Sequence, residues 1–273
     1  MITKYPLLYR LCPPLLIAAV GFFLSDGLLV EIAINWLLLI LIETKGLGVL
    51  GLTPTPRRGV HLLAGFGIAA GMACFNWYLQ TIFSGSVWSL NPSFTPARFL
   101  DGTWWTMQSV LYEELIFRAA LLYIAINKIG VRGACWLSAI CFGAYHWFSM
   151  NAFGNPVQMA FIFIVTGAMG YIFALAYAKT KSLYLPIALH FGWNFINTVI
   201  FSQGPIGNQL LILKRGELFN AYENTIVMLV QYVAFPALAY WYIVKRKPQV
   251  TEVSPPPPDA HHPPQDHSKI HQS

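Results

Sequence analysis

Three short stretches of this sequence place chemically capable side chains at helical spacing inside apolar runs. Glu113 and Glu114 are followed by Arg118, His146 stands fourth after Phe142, and His190 precedes Asn194 by four. An ionisable group within a bilayer costs at least about 2.5 kcal/mol unless it is paired or hydrated, so such groups are functional candidates by default. On a helix, Glu114 and Arg118 lie on one face and form an ion pair. Glu113 is rotated about 100° from Glu114 and must find its partner on another helix, with His146 the expected one. A carboxylate beside an imidazole activates water as a general base. His190 and Asn194 share a helix face, and two adjacent donors suit the oxyanion of a tetrahedral intermediate in amide hydrolysis. Counted at about 1.5 Å per residue from Lys128, Arg132 and Lys181, these four side chains lie roughly 14–22 Å into a core of about 30 Å. One site at similar depth follows.

The elements that must position them are membrane helices. Of 273 residues, 56% are hydrophobic and only 10% charged, against roughly 25% charged in a soluble domain. The net charge of +6 is scattered through connecting segments, so nucleic-acid binding is excluded as the reading. Cys12, Cys74, Cys135 and Cys141 form no CxxC and are read as packing residues. Apolar segments at Leu7–Leu24, Gly27–Ile42, Val60–Phe83, Phe99–Ile126, Gly133–Met150, Val157–Ala178, Leu183–Phe201 and Thr225–Val244 give about eight transmembrane helices. With both termini cytoplasmic, Lys45, Arg57, Arg58, Lys128, Arg132, Lys179, Lys181 and the Lys245-Arg246-Lys247 cluster fall inside, and Arg98, Lys214 and Arg215 outside. Gly67-xxx-Gly71 reads as a close helix–helix contact.

The expected fold class is therefore an all-α polytopic membrane protein. Residues 1–46 form N-terminal transmembrane helices and 47–201 the catalytic helical core. Residues 202–247 form an outer loop and the last span, and 248–273 a disordered Pro/His-rich cytoplasmic tail.

Glu113-Glu114-Leu115-Ile116-Phe117-Arg118, Phe142-Gly143-Ala144-Tyr145-His146 and His190-Phe191-Gly192-Trp193-Asn194 match EExxxR, FxxxH and HxxxN in order, each on a separate apolar segment. In this the chain resembles the CAAX protease and bacteriocin-processing family of intramembrane glutamate endopeptidases. Leu47–Gly71 looks like the family's usual lead-in, and Ala119 stands where relatives often carry Gly. The resemblance implies peptide-bond hydrolysis by water activated at Glu113 and His146. His190 and Asn194 would stabilise the oxyanion, and Glu114 and Arg118 would be a structural ion pair. It also implies a membrane-associated peptide or protein substrate, and the expected location is the plasma (inner) membrane of a bacterium. Family members have been described as metalloproteases, for which Glu113, His146 and His190 would supply three zinc ligands. With no HExxH in the sequence, the metal-free route is the reading taken. Two other classes compete: a proton- or ion-coupled transporter, and a non-catalytic immunity or scaffold protein. Transporters carry internal repeats and helices broken near the midplane, and the sequence shows neither.

Overall fold

The structure, a computed structural model, describes residues 26–245. The expected first span Leu7–Leu24 and the Pro/His-rich tail 248–273 lie outside the described residues. Three helices begin with the same local device. Thr55, Thr95 and Asn155 each accept a hydrogen bond from the backbone N–H three residues on, at 3.3, 3.1 and 3.1 Å, and Pro follows each. The side-chain oxygen satisfies a donor the helix leaves orphaned, and Pro at the first helical position loses no bond. These caps start α2 (Pro56–Ser84), α3 (Pro96–Arg118) and α5 (Pro156–Thr180). Before them comes α1 (Asp26–Glu43), and between α3 and α5 lies α4 (Ala120–Ser149). After α5 come α6 (Tyr184–Phe195), which runs on through a π turn at Ile196–Ile200, and α7 (Ala221–Leu229). A second π turn at Val230–Ala234 joins α7 to α8 (Phe235–Val244).

Among the described residues three helices are long and apolar enough to cross a membrane: Pro56–Ser84, Pro156–Thr180 and Ala221–Val244. Their outward side chains are apolar, with Leu63 74% and Ile164 68% exposed. Water would penalise such a surface and lipid would not. The chain is an integral, mostly helical membrane protein. The departure from an all-helical chain is a small antiparallel sheet, β1 (Val87–Leu90) against β2 (Leu211–Arg215), in segments expected to be loops.

The expected continuous span Phe99–Ile126 is broken. Ala119 leaves helical torsions (φ −90°, ψ −118°), separating α3 from α4, and α4 is itself interrupted at Gly130 (φ 76°, ψ 165°). A positive φ of this size is cheap only for Gly. The break at Ala119 frees backbone groups in the bundle interior, and buried side chains take them up. The Asn35 amide on α1 donates to Leu115 O at 3.2 Å, and its Oδ1 accepts from Ala120 N at 2.7 Å. Ser138 Oγ donates to Phe117 O at 3.1 Å. Non-helical backbone at membrane depth persists where partners of this kind exist.

α5 is the central helix, buried on all sides from Ile172 to Ala178. A close helix–helix contact was expected at Gly67 and Gly71, but both face outward, and a Cβ there would meet nothing within 4 Å. The stripe that packs is Gly65, Ala69 and Ala73, with Gly192 of α6 opposite. A Cβ on Gly65 would stand 2.9 Å from Ala188 Cβ, and one on Gly192 2.9 Å from Phe66 O. Two residues along a helix is a rotation of about 200°, so the frame of the small residues decides which face closes.

The bundle has two distinct ends. At one, the 3₁₀ turn Leu47–Leu50 meets the α5–α6 connection through Tyr177 OH to Val49 O (3.0 Å) and Leu183 N to Leu50 O (3.1 Å). Asn127 donates to Glu43 (2.9 Å) at the same end. The sheet, the start of α3, the end of α4 and the start of α5 form the other.

Candidate active site

The site is built where α3, α4 and α6 converge beside α5. On α3 the ion pair forms as its spacing dictates: Arg118 Nη1 donates to Glu114 Oε1 at 3.1 Å, with both side chains fully buried. The guanidinium lies over the Phe142 ring, 3.9 Å from its centroid, with Phe173 at 5.2 Å. A planar cation over an aromatic face in a desolvated setting gains about 2 kcal/mol. Arg118 Nε and Nη2 and Glu114 Oε2 find no hydrogen-bond partner among the described residues. The pair is held by its own charge and by aromatic packing.

His190 joins that pair. Its Nδ1 lies 2.8 Å from the same Glu114 Oε1, and a carboxylate oxygen accepts, so Nδ1 carries the proton. The ring stacks on Phe173 at 4.9 Å, which fixes its plane. Nε2 is thereby turned toward Glu113, with Oε2 at 3.7 Å. Glu113 was expected to meet His146; the ion-pair contact it makes among the described residues is with His190. Its side chain keeps 14% exposure, and Oε2 makes no hydrogen bond among the described residues.

His146 is oriented from its own helix. Nδ1 donates to the Phe142 carbonyl at 2.8 Å, one turn back, and the ring packs edge-on to Phe142 at 4.4 Å. With Nδ1–H committed, the Nε2 lone pair is the free one. Phe142 thus makes three contacts to two neighbours: its carbonyl sets the His146 tautomer, one face carries Arg118, and its ring packs T-shaped against that of His146. This is the physical content of the FxxxH spacing, and it was not apparent from the sequence.

Glu113, His146, His190 and Asn194 all line one cavity of about 660 Å³. Glu114 and Arg118 lie behind it and do not line it. The facing wall is mainly apolar, from Phe161, Val165 and Met169 of α5 and Tyr232 and Phe235 beyond α7, with Thr166 and Gln231 among them. Sequence reasoning missed this wall, because apolar residues on membrane helices carry no mark of which cavity they face. It also missed Asn35, 2% exposed on α1. The rule that singled out His146 would have found it, since Asn35 interrupts the apolar run Ile32–Ile42. Among the described residues no three His, Cys, Asp or Glu side chains converge closely enough to hold a metal ion. Glu113, His146 and His190 are thus not preassembled as a zinc triad.

Residues 95–196 match the family model described as type II CAAX prenyl endopeptidase Rce1-like, the family expected from the three motifs. The matched segment contains every motif residue and the break at Ala119. No curated protein and no solved structure matches the chain.

Proposed function

With residues 95–196 assigned to the Rce1-like family of CAAX endopeptidases, we propose that the chain is an intramembrane endopeptidase that hydrolyses a peptide bond of a membrane-associated substrate with a water activated by Glu113 and His146. The observation that carries this reading is the convergence of Glu113, His146, His190 and Asn194, from three helices, on one cavity. The partly exposed Glu113 carboxylate lines that cavity and His146 Nε2 is a second acceptor, so a water donating to both has its lone pair aimed outward. As it attacks the carbonyl carbon, its proton passes to Glu113, which later delivers it to the leaving amide nitrogen. The carbonyl oxygen becomes an oxyanion beside the Asn194 amide and His190 Nε2, which donates when it carries its proton. Glu114 holds His190 through Nδ1, and Arg118 holds Glu114.

The broken helix bears on the transporter alternative, because transporters use such breaks to aim freed backbone groups at an ion or substrate. Here Leu115 O, Phe117 O and Ala120 N are taken up by Asn35 and Ser138. None of these residues lines the cavity.

The test is cleavage of a palmitoylated fluorogenic peptide mixture by the purified protein in proteoliposomes. Glu113→Gln and His146→Ala are expected to lose activity by about 10²–10⁴-fold, the range for a removed general base, while inserting at wild-type yield. Full cleavage by either variant would sink the mechanism.

A further inference from the structure

The cavity is closed at one end of the bundle and reaches the other. Its inner limit is set by His190, Phe142 and Phe173, with the Glu114–Arg118 pair buried beyond them. From there it runs past His146 to Ser149, Met150 and the segment Gln203-Gly204-Pro205. α4 ends three residues after His146, at Ser149, whereas α5 begins at Pro156. The end of α4 therefore leaves the catalytic side chain within one turn of the mouth. No lining residue comes from the end where Leu47–Leu50 meets the α5–α6 connection.

The two ends differ in charge. Lys45, Arg57, Arg58, Lys128, Arg132, Lys179, Lys181 and Lys245 belong to the closed end, with Glu43 among them. The mouth end carries Arg98 and Lys214 alongside Asp101, Glu217 and Glu223. Basic residues near short connections are retained on the cytoplasmic side. Lining and charge are independent observations, one from packing and one from composition, and they point the same way.

We propose that this site takes its substrate from the extracytoplasmic face of the membrane. The substrate class is then a membrane-tethered peptide whose scissile bond has already been carried across the bilayer, so an export step precedes cleavage. The proposal rests on the peptidase reading for its substrate and on geometry alone for its sidedness. The mouth accommodates such a chain: Ser149, Gln203 and Gln231 line it with polar groups for an extended backbone, and the facing wall of α5 is apolar but for Thr166.

Thiol accessibility tests the sidedness without requiring activity. In a background with Cys12, Cys74 and Cys141 replaced by Ala and the buried Cys135 retained, Ser149→Cys and Gln203→Cys are treated in intact cells with a membrane-impermeant maleimide. Lys45→Cys and Lys128→Cys are the controls. The expected result is labelling of the first pair in intact cells and of the controls only after permeabilisation. The reverse pattern overturns the proposal. The wild-type protein gives a second reading in proteoliposomes sorted by orientation, with the palmitoylated fluorogenic peptide mixture added outside. Cleavage is expected only where the mouth end faces out, and cleavage confined to vesicles with the basic end outward overturns the proposal. If the labelling is as expected and neither orientation cleaves, the peptidase reading falls and the sidedness of the cavity stands.

Discussion

At the scale of single residues, the EExxxR spacing acquires a division of labour. Glu113 faces the cavity and Glu114 faces away, yet Glu114 makes the shorter contact to His190, 2.8 Å against 3.7 Å. One carboxylate therefore orients the ring beside which the other stands. This was half legible beforehand. The i, i+4 rule put Glu114 against Arg118, but no rule of spacing within one helix could bring His190 to them, since that depends on how α6 packs. Loss of Arg118 would leave a buried Glu114 without its cation, a change that typically costs about 3–5 kcal/mol. Arg118→Ala is expected to reduce folded yield severely. Arg118→Lys should recover little of it, because an ammonium cannot spread over the Phe142 ring as the planar guanidinium does. Detergent-solubilised yield by size-exclusion chromatography checks both, and a well-folded Arg118→Ala protein would remove the pair from the scaffold.

At the scale of elements, α3 ends where its chemistry ends. Arg118 is the last helical residue, and the break at Ala119 lets α4 set off without carrying the motif helix along. A break cannot be read from composition here, because Phe99–Ile126 is uniformly compatible with helix and Ala119 is a good helix former. The helix starts, by contrast, were written in the Thr-Pro and Asn-Pro pairs, and the small-residue contact was legible in kind but placed in the wrong frame. Asn35 carries the break, and its removal would leave Leu115 O and Ala120 N unpaired, about 1–3 kcal/mol for each buried group. Asn35→Leu is expected to lower Tm by several degrees and to lower kcat as Glu113 loses its fixed position. Asn35→Asp keeps the acceptor for Ala120 N and should retain more of both. Equal loss in the two variants, with KM alone changed, would contradict a positioning role. The stripe makes a parallel prediction: Gly65→Leu should abolish folding, for want of space against Ala188, while the outward-facing Gly67→Leu is tolerated. Expression and thermal melting of the pair decide it.

At the scale of the whole molecule, the cavity needs segments far apart in the chain to frame its mouth. Gln203-Gly204-Pro205 lies there only because the stretch after α6 is tied down to the segment after β1. Asn91, 5% exposed, donates to Asn208 O at 3.1 Å and Gln209 O at 2.9 Å, and its backbone N–H reaches Leu210 O at 2.9 Å. Ser202 Oγ accepts from Gln209 N at 2.8 Å, closing the turn from the other side. In sequence, Ser202–Asn224 reads only as a polar loop, since its partner strand is more than a hundred residues away and a four-residue strand leaves little periodic trace. If this tie shapes the mouth and not the chemistry, its loss should act on binding. Asn91→Ala removes the two side-chain hydrogen bonds that tie the segments together, each contributing about 0.5–1.5 kcal/mol, and a local one accepted from Ser93 N. The expected outcome with the palmitoylated peptide probe is a KM raised by roughly 5- to 100-fold, with kcat within a factor of about two. A matching fall in kcat would mean that the sheet end of the bundle holds His146 and Glu113 in place as well as framing the route to them.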